Sequence, residues 1–468
     1  MYVDLDGTLI RTDLLYEAVM CLAKQAPWLC LLLPFWLLRG KAYMKQRIAE
    51  RVMPAIELLP YNEALLDYLK QAKASGRRIY LATASHKRYA EAVAEHLGLF
   101  DGVLATDGKN NLSGKRKLAA IIEREGERGF VYAGNGRVDL AIWRHAAGAI
   151  VVDAPAAVNR EAARLTTIEQ RFSFADRPLP LAIIKAIRVH QWVKNVLIFV
   201  PILAAHRFSE AALFQQALLA FFSFSLCASS VYLLNDMLDL ASDRRHPRKC
   251  KRPFASGDLH LKYGMAGVPL LLGASLALAL ILPGEFLLVL VTYYALTLAY
   301  SFHLKSEPVI DIIMLALLYT IRIIAGSAAS GIELSFWLLA FSVFIFLSLA
   351  LVKRYSELHT MILQQKRKAS GRGYATDDIG VLLALGSASG LLSILVLALY
   401  LNSETVATLY SHPYFIWLIN LLLLYWISRI WLLTHRGQMH DDPVVFAVKD
   451  KTSAAIAILM GICIWLAI

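Results

Sequence analysis

Cysteine is scarce in this chain, which has five cysteines among its 468 residues. They lie at positions 21, 30, 227, 250 and 463, so they do not form the short spacings of zinc sites or redox dithiols. A disulfide framework is also not expected, because such frameworks belong mainly to small, cysteine-dense secreted domains. The sequence therefore predicts neither a cysteine-based metal centre nor a disulfide-stapled fold.

Charged residues are also few. They make up 18% of the chain, whereas 57% of its residues are hydrophobic and the mean hydropathy is +0.52, which excludes an ordinary soluble protein. From about residue 195 onward the apolar residues form runs near the roughly 20 residues that cross a bilayer. These runs predict about nine membrane-spanning helices, near residues 195–206, 211–234, 262–283, 285–303, 308–329, 335–352, 378–400, 412–433 and 453–468.

Acidic residues are outnumbered by basic ones, 36 to 48, which gives a net charge of +12. The basic residues collect on alternate loops between the predicted spans, above all at 244–262, 353–372 and 436–451. By the positive-inside rule, this pattern places the amino terminus and these loops on the cytoplasmic side of an inner-membrane protein. We expect contacts with anionic membrane lipids and phosphorylated substrates, and none with nucleic acid. Because Asp4 and Asp6 come before any apolar run, we expect no cleavable signal peptide.

An acidic cluster lies at the inner end of the second predicted span. Asn235, Asp239 and Asp243 follow one another four residues apart, with Asp236 beside them, so a helix would put their oxygen ligands on one face. Carboxylates at a membrane boundary repel one another unless a cation joins them, and Mg²⁺ favours oxygen ligands shared with phosphates. The cations that follow this cluster are Arg244, Arg245, Arg248, Lys249, Lys251 and Arg252. Together these residues predict a magnesium site for a diphosphate donor.

The amino-terminal part has a different pattern. Apolar strands are predicted at residues 2–6, 78–82, 130–133 and 149–152, with helical segments between them, which indicates a parallel α/β domain. Residues 156–184 are polar with interspersed prolines and are predicted to form a linker.

Residues 13–75 are mostly helical in pattern and contain an unusual apolar segment at 26–38. The segment is rich in Trp and Leu, but it is too short for a span and Pro34 interrupts it. We expect it to dip into the cytoplasmic leaflet of the membrane. The alternative is a buried core helix of the soluble domain.

Four motifs of the amino-terminal domain occur in one order: Asp-Leu-Asp-Gly-Thr from residue 4, Thr83 at the end of a strand, Lys117, and Gly-Asn-Gly-Arg-Val-Asp from residue 134. In this order they resemble the haloacid dehalogenase (HAD) phosphatase superfamily over roughly residues 1–155, with a Rossmann-like fold and a helical cap at about 13–75. The resemblance implies that Asp4 attacks phosphorus and Asp6 protonates the leaving oxygen. It also implies phosphate binding by Thr83 and Lys117, with Lys115 as a weaker candidate.

The same resemblance implies a Mg²⁺ site formed by Asp4, Asp6, Asn135 and Asp139. The family usually has an acid where this chain has Asn135, so we expect weaker metal binding rather than none. The alternative is a phosphatase fold retained only as a scaffold or regulator.

The membrane part has its own set of motifs. The acidic cluster, the nine predicted helices, and a second motif of Tyr-Ser-Phe-His-Leu-Lys from residue 300 with Asp311, Arg322 and Gly326 resemble the UbiA superfamily of intramembrane prenyltransferases over roughly 185–468. Aromatic prenyltransferases of that superfamily commonly have a second acid where this chain has Leu315. Further segments are similar to the decaprenyl-phosphate phosphoribosyltransferase branch, and they lie at residues 188–195, 246–247, 252–257, 353–357, 371–374 and 441–444.

That branch joins phosphoribosyl diphosphate (PRPP) to a polyprenyl phosphate. The resemblance implies that Asn235, Asp236, Asp239 and Asp243 hold Mg²⁺ on the PRPP diphosphate, and that Asp311 binds a second Mg²⁺ or the ribose hydroxyls. It implies two groups of phosphate contacts: Lys249, Arg252 and Lys305 for the diphosphate, and Lys194, Lys353, Arg354 and Arg372 for the lipid phosphate or the 5-phosphate.

The leading hypothesis is a bifunctional membrane enzyme in which the HAD-type phosphatase removes the 5-phosphate from the transferase product. The main alternative is prenylation of an aromatic acceptor from a polyprenyl diphosphate, which would bind at the same aspartates. A second alternative is an inactive lipid-binding or regulatory membrane protein.

Overall fold

The structure is a computed structural model that describes residues 1–108, 110–173, 178–363, 373–403, 406, 410–439 and 442–468. The chain divides into two compact units. The first unit comprises Met1–Ile187 and Tyr232–Pro269, and the second comprises Arg188–Val231 and Leu270–Ile468. The first unit therefore contains both the amino-terminal domain and the acidic cluster.

A parallel sheet of six strands forms the centre of the amino-terminal domain. Its strands are β1 (Tyr2–Val3), β2 (Tyr80–His86), β3 (Gly102–Thr106), β4 (Val131–Gly134), β5 (Gly148–Val152) and β6 (Thr167–Phe172). Their order is β3-β2-β1-β4-β5-β6, and every pair of neighbours is parallel. This arrangement confirms the predicted α/β fold. Because the strands are parallel, the residues that follow β1, β2 and β4 meet at one edge.

The sheet continues past residue 155, where we expected a linker to begin. Residues 156–165 form a helix, and β6 then pairs with β5 from Thr167 to Phe172. Most side chains of β6 are exposed, since it is an edge strand. Its polar composition consequently lacks the alternation from which a strand is predicted, and it resembles a linker in sequence.

Nine helices of the described part surround this sheet or follow it. They are α1 (Leu14–Gln25), α2 (Leu33–Leu38), α3 (Lys41–Ala49), α4 (Glu63–Ala74), α5 (Lys87–Leu97), α6 (Lys115–Glu125), α7 (Leu140–Trp143), α8 (Ala156–Leu165) and α9 (Leu179–Ile187). Helix α1 begins after Asp13, whose carboxylate accepts hydrogen bonds from the backbone N–H groups of Leu15 and Tyr16. Helices α1 to α4 confirm the helical pattern predicted for residues 13–75.

The apolar segment of this helical region lies on the surface. It consists of a 3₁₀ turn from Pro27 to Leu32 followed by α2. The exposed fractions are 66% for Trp28, 75% for Leu31, 65% for Phe35 and 86% for Leu38, whereas Trp36 is buried. The alternative of a buried core helix is therefore wrong. Insertion into the membrane leaflet stays a prediction that this exposure favours.

The rest of the chain is almost entirely helical in its described residues. Its helices are α10 (Val200–Ala204), α11 (Ala211–Leu238), α12 (Leu240–Arg245), α13 (Leu261–Ala279), α14 (Gly284–Phe302), α15 (Ile310–Ser330), α16 (Phe336–Leu363), α17 (Ile379–Tyr400), α18 (Tyr414–His435), α19 (Pro443–Lys449) and α20 (Lys451–Ala467). Seven helices of the described part are long and apolar enough to cross a membrane, and the bent pair of α19 and α20 makes eight if it counts as one span.

The predicted number of about nine is close to this result, and the difference lies at residues 195–206. There the chain forms a 3₁₀ segment, Val189–Phe199, followed by the short helix α10. The combined segment is apolar but too short to be counted among the spans. Pro201 lies in the first turn of α10. Lys194 and Asn195 are buried polar residues, so the segment packs against its neighbours.

Close packing in the second unit fixes this 3₁₀ segment against α15. A Cβ atom added at Gly326 would overlap with the backbone carbonyl of Ile198, so only glycine permits this approach. The approach places Lys194 and Asn195 next to the polar residues of α15. A large apolar cluster of α15, α16, α17 and α18 includes Tyr319 and Trp431, and Leu197 of the 3₁₀ segment packs against it.

Candidate functional sites

The edge of the sheet brings together the predicted phosphatase residues. Asp4 and Asp6 follow β1, Thr83 lies within β2, and Asn135 follows β4. The backbone N–H of Asp4 donates to the carbonyl of Ala133 at 3.0 Å, which joins the loops after β1 and β4. Gly7 has a φ of 73° and packs so closely on the Asn135 side chain that an added Cβ would overlap with it. The sequence-predicted motifs thus form one site.

Asp4 is paired with a buried lysine. The Lys117 ammonium group donates to Asp4 Oδ1 at 2.9 Å and to the hydroxyl of Tyr132 at 2.9 Å. Tyr132 in turn donates to Asp139 Oδ1 at 3.1 Å. Lys117 is buried and Lys115 is exposed, so the geometry favours Lys117 as the cation at this site. This chain of contacts links the predicted nucleophile to the predicted metal ligand Asp139.

Asp6 is held by three donors. Its carboxylate accepts hydrogen bonds from the backbone N–H of Leu14 at 2.8 Å, the hydroxyl of Ser85 at 2.7 Å and the hydroxyl of Thr83 at 3.3 Å. Burial raises the pKa of Asp6 to about 7, and the nearby charge of Asp13 adds to the increase. A carboxyl group with such a pKa retains a proton near neutral pH, which suits a proton donor.

Two residues of this site were not predicted from the sequence. Ser85 bonds to Asp6, and Lys45 of α3 donates to the Ala84 carbonyl at 2.6 Å and to Asn111 Oδ1 at 3.1 Å. Burial lowers the pKa of Lys45. Ser85 lies two residues after Thr83, so the strand alternation offered a signal. Lys45 comes from the helical region between the motifs, and its sequence gave no comparable signal.

The donor set at this edge fits a magnesium ion. Asp4 and Asp139 provide carboxylate oxygens, and Asn135 provides an amide oxygen in place of a third charge. Burial raises the pKa of Asp139, and the charge of Asp4 contributes to the increase. A buried carboxylate whose proton affinity is raised beside a second carboxylate is suited to a divalent cation that both would share. In the structure, Asp139 accepts from the backbone N–H groups of Asn135 and Gly136 at 3.0 and 2.9 Å.

The acidic cluster lies at the junction of α11 and α12. Asp239 interrupts the helix, but its N–H still bonds to the Asn235 carbonyl at 2.9 Å, and the N–H of Asp243 bonds to the Asp239 carbonyl at 2.8 Å. The predicted four-residue spacing therefore persists across the break. At about 1.5 Å per residue, the 28 residues of α11 exceed the roughly 30 Å of a bilayer core, so the helix is long enough for the predicted position of the cluster at a membrane boundary.

A single arginine joins two of these carboxylates. Arg252 Nη1 donates to Asp236 Oδ1 at 3.0 Å and to Asp243 Oδ2 at 2.6 Å, and both acids have side chains only 3% exposed. Asp239 instead pairs with Lys24 of α1 at 2.8 Å. The carboxylates of Asp236 and Asp239 thus have different partners. Burial raises the pKa of Asp243 although Arg252 opposes this, and the charge of Asp236 adds to the increase.

The acidic cluster of Asn235, Asp236, Asp239 and Asp243, hereafter the first motif, fits a magnesium ion by its chemistry, although its carboxylates are not gathered around one point. Within the described residues, no group of three or more acidic, histidine or cysteine side chains has the arrangement of a metal site. Asp236 and Asp243 nevertheless share one cationic group, and hard carboxylate oxygens are the ligands that Mg²⁺ prefers. Lys249 lies in a 3₁₀ turn of the same loop, Lys249–Lys251.

The second motif is a buried network in the second unit. Asp311 is fully buried, accepts from the Tyr300 hydroxyl at 2.7 Å, and forms an ion pair with Arg354 through both carboxylate oxygens. Arg354 also contacts Glu357 at 2.6 Å. The predicted metal ligand and the predicted phosphate ligand therefore neutralise each other. Leu315 lies one helical turn further along α15 and packs against the apolar cluster of this unit.

Two of the predicted phosphate-binding lysines meet at one carboxylate. Lys194 contacts Asp442 at 2.7 Å and Lys353 contacts it at 3.4 Å, while the Tyr319 hydroxyl donates to it at 3.1 Å. Burial would raise the pKa of Asp442, but the two lysines hold it well below its ordinary value. Lys194, Lys353, Tyr319 and Asp442 are hereafter the lysine cluster. Sequence reasoning pointed to residues 441–444 but did not assign Asp442.

Arg322, which belongs to the second motif, lies next to the lysine cluster. Its Nε donates to Asn195 Oδ1 at 2.8 Å, and its guanidinium lies 5.6 Å from the ring centre of Tyr319. Asn195 also donates to Ser225 at 2.9 Å. Of the remaining predicted residues, Lys305 lies in the 3₁₀ turn Leu304–Ser306, and Arg372 lies outside the described residues.

Comparison with protein families identifies both parts of the chain. The UbiA prenyltransferase family matches residues 196–463, and the haloacid dehalogenase-like hydrolase family matches residues 2–144. The first match covers more than half of the chain. The chain belongs to the UbiA prenyltransferase family. It is thus a UbiA-family integral membrane protein with a HAD-like amino-terminal domain, as the motifs predicted.

Relatives of this UbiA-family chain differ in how much of it they match. Uncharacterized protein y4nM of Sinorhizobium fredii is 37% identical over 461 residues, which cover 98% of this chain and 89% of that protein. Nodulation protein NoeC of Azorhizobium caulinodans is 38% identical over 275 residues, 58% of this chain and 87% of that protein. Decaprenyl-phosphate phosphoribosyltransferase of Mycobacterium tuberculosis is 44% identical over 188 residues, 39% of this chain and 61% of that enzyme.

Solved structures of other UbiA proteins also match. A UbiA homolog from Archaeoglobus fulgidus bound to GPP and Mg2+ has a TM-score of 0.48 at 15% identity, and the match covers 61% of this chain and 99% of that one.

Proposed function

We propose that this chain transfers a 5-phosphoribosyl group from PRPP to a polyprenyl phosphate, and that its HAD-like domain then removes the 5-phosphate from the product. Transfer breaks the bond between ribose C1 and the diphosphate, and an oxygen of the lipid phosphate forms the new bond to C1. The diphosphate leaves with the bonding electron pair. Both substrates are phosphorylated, so the reaction needs several separate cationic groups.

The state of the second motif is the observation that carries this proposal. Asp311 is neutralised by Arg354, and Leu315 packs among apolar residues. An aromatic prenyltransferase commonly has two acids at these positions, with which a prenyl diphosphate and its metal ions would bind. One neutralised acid and one leucine do not offer that set. The similarity to phosphoribosyltransferases supports the same choice, although it covers only part of their length.

Residues of the first motif are proposed to bind the donor. Asp236, Asp239 and Asp243, with Asn235, would hold Mg²⁺, which when bound makes the diphosphate a better leaving group. Arg252 already bridges two of these carboxylates, and with Lys249 it would contact the diphosphate oxygens.

Further cations are proposed to bind the other phosphates. Lys194 and Lys353 converge on the Asp442 carboxylate, whose oxygens resemble those of a phosphate in size and charge. These lysines would receive the lipid phosphate or the ribose 5-phosphate, with Arg372 as a further candidate. Lys305 remains a candidate for the diphosphate. Asp311 and Arg354 would orient ribose hydroxyls or a phosphate through their paired side chains.

The HAD-like domain is proposed to act as a phosphatase. A carboxylate oxygen of Asp4 attacks phosphorus and the bond to the ribose 5-oxygen breaks, while Asp6 gives its proton to that oxygen. Water then hydrolyses the aspartyl-phosphate to free phosphate and regenerates Asp4. Lys117 and Thr83 would neutralise and orient the phosphoryl oxygens, and a bound Mg²⁺, held by Asp4, Asp6, Asn135 and Asp139, would add further charge compensation.

The donor assignment is tested by offering both donors to the same preparation. Purified protein in lipid with Mg²⁺ is given labelled PRPP with a polyprenyl phosphate, or a labelled polyprenyl diphosphate with an aromatic acid. We expect label in the lipid only in the first reaction, and loss of that label in Asp239→Asn. If only the second reaction proceeds, the protein is an aromatic prenyltransferase. If neither proceeds and Mg²⁺ does not bind, the inactive lipid-binding alternative holds.

We propose that the active sites face the cytoplasm, because PRPP is a charged cytosolic metabolite and the basic loops predict that orientation. Labelling of a cysteine introduced next to the acidic cluster by an impermeant reagent checks this orientation in intact cells and in inverted vesicles. Labelling only in inverted vesicles is the expected result.

A further inference from the structure

One helix of the HAD-like domain contacts both candidate sites of the first unit. The N-terminus of α1 supplies the Leu14 N–H that holds Asp6. One turn later, Glu17 forms an ion pair with Arg244 of α12. At the C-terminal end of the helix, Lys24 pairs with Asp239. Within 12 residues, α1 therefore reaches from the phosphatase proton donor to the first motif of the transferase.

The pair of Glu17 and Arg244 is the strongest of these contacts. Arg244 donates from Nη2 and Nη1 to the two oxygens of Glu17 at 2.6 and 3.1 Å. The side chain of Glu17 is 5% exposed and that of Arg244 is 8% exposed. Thr12 donates a further hydrogen bond to Glu17 at 2.9 Å. The pair of Lys24 and Asp239 is more exposed, so solvent weakens it. A buried two-pronged pair fixes geometry far more firmly than an exposed one.

Arg244 passes this constraint to the loop that carries Arg252, the proposed diphosphate contact. Its Nε donates to the Ala255 carbonyl at 3.0 Å, three residues after Arg252. Arg252 is the residue that bridges Asp236 and Asp243. The loop also approaches the amino-terminal domain at Gly257, where φ is 78° and an added Cβ would lie 2.9 Å from the Arg11 carbonyl. Sequence reasoning had grouped Arg244 with the cations that neutralise a diphosphate, whereas the structure engages it with Glu17.

We infer that the HAD-like domain is a structural part of the transferase's diphosphate site, and that Glu17 is a positioning residue that acts through Arg244. This inference deepens the proposed function and rests on it for the role of the first motif. Glu17 does not touch the substrate. It holds Arg244, Arg244 holds the backbone at Ala255, and the loop so held presents Arg252 to the two carboxylates. The phosphatase chemistry of the domain is not required for this role.

The test measures Mg²⁺-dependent binding of inorganic diphosphate to the full-length protein in lipid nanodiscs by calorimetry. Diphosphate is common to PRPP and polyprenyl diphosphates, so this readout does not depend on which donor is correct. Binding that Asp236→Asn removes is assigned to the first motif. We expect Glu17→Gln to weaken it by about tenfold, within the usual range of coupling between sites. The exposed Glu95→Gln is the matched control.

A double-substitution cycle separates positioning from general damage. Because Glu17 acts through Arg244, Glu17→Gln combined with Arg244→Gln should bind no more weakly than Arg244→Gln alone. Phosphate release from a soluble phosphoester in the same samples reports whether the domain is folded. If Glu17→Gln fails to fold, the double variant replaces it, since two amides leave no buried charge unpaired, and the same tenfold loss is expected.

The inference is wrong if the Glu17 variants bind diphosphate as tightly as the wild type. It is also wrong if the losses of the two single variants simply add in the double variant. Either result would leave the proposed function intact. If the wild-type protein shows no diphosphate binding that Asp236→Asn removes, both the inference and the proposed function are wrong.

Discussion

At the scale of single residues, the two candidate sites of the first unit both pair a carboxylate with a specific cation. Lys117 pairs with Asp4, and Arg252 bridges Asp236 and Asp243. All three of these carboxylates are mostly or fully buried, so each would be costly to leave unpaired. Under the proposed function, each of these cations would exchange a carboxylate oxygen for a phosphate oxygen when the substrate binds. Substitutions at these two cations therefore test the sites directly.

Replacing Arg252 should reduce transfer more than replacing its neighbours. Arg252→Ala leaves two buried carboxylates without their shared partner and removes a diphosphate contact, so we expect kcat/KM for PRPP to fall by about 100-fold. Arg252→Lys keeps the charge but not the planar guanidinium, so its kcat/KM for PRPP should lie between those of the wild type and Arg252→Ala. Exposed Lys251→Ala is the control. Similar values for Arg252→Ala and Lys251→Ala would show that the bridge has no role in transfer.

The two lysines of the 114–117 segment should behave differently. Lys117 is buried against Asp4, whereas Lys115 is exposed two residues away. We expect Lys117→Met to lower phosphate release from a soluble phosphoester by at least about 100-fold, since the transition-state charge loses its main side-chain cation. Lys115→Met should retain activity near that of the wild type. Equal losses in both variants would contradict the assignment of Lys117.

At the scale of elements, two packing features have direct consequences. The first is the exposed apolar segment from Pro27 to Leu38, and the second is the glycine contact between α15 and the 3₁₀ segment Val189–Phe199. Large exposed apolar patches mark interaction surfaces. Two basic residues, Arg39 and Lys41, directly follow the apolar segment, a pattern that suits anionic lipid headgroups.

The apolar segment should matter for lipid-linked substrates and not for soluble ones. The double substitution Trp28→Ser and Phe35→Ser removes two exposed aromatic groups from the proposed membrane contact. We expect KM for a lipid-linked phosphate to rise about 30-fold, because two exposed aromatic groups that each contribute on the order of 1 kcal/mol on burial together contribute about 2 kcal/mol. Hydrolysis of a water-soluble phosphoester should not change. A rise in KM for both substrates would argue against membrane insertion.

The glycine contact should limit stability. Gly326→Val places a side chain against the Ile198 carbonyl and must displace the segment that carries Lys194 and Asn195. We expect a loss of about 1–3 kcal/mol of stability, visible as a lower Tm, together with weaker transfer. Gly273→Ala is the control, because a Cβ at that position meets nothing within 4 Å. An unchanged Tm for Gly326→Val would contradict the packing described here.

Sequence patterns predicted the helices and strands better than the side-chain contacts between them. Hydrophobic runs and ordered motifs were sufficient for the parallel sheet, the membrane helices and the family. The edge strand β6 was missed because an exposed strand lacks an apolar face. Partners such as Glu17 with Arg244 are 227 residues apart in the chain, and only tertiary packing brings them together. Composition likewise gave no sign that Arg354 neutralises Asp311.

At the scale of the whole molecule, the chain combines a UbiA-family membrane domain with a HAD-like domain. The relative from Sinorhizobium fredii matches 98% of the chain, so the same combination of domains extends to a second protein. Under the proposed function, the two domains catalyse consecutive steps on one lipid. Under that function, the fusion would keep the lipid-linked product close to the domain that acts on it next.

The most direct measurement is mass spectrometry of the lipid formed from PRPP and a polyprenyl phosphate by three versions of the full-length protein. We predict that the wild type forms a polyprenyl-phosphate ribose without the 5-phosphate, that Asp4→Asn forms the same lipid with its 5-phosphate retained, and that Asp236→Asn forms neither. Identical lipid products from the wild type and Asp4→Asn, or no ribosylated lipid from the wild type, would contradict the account.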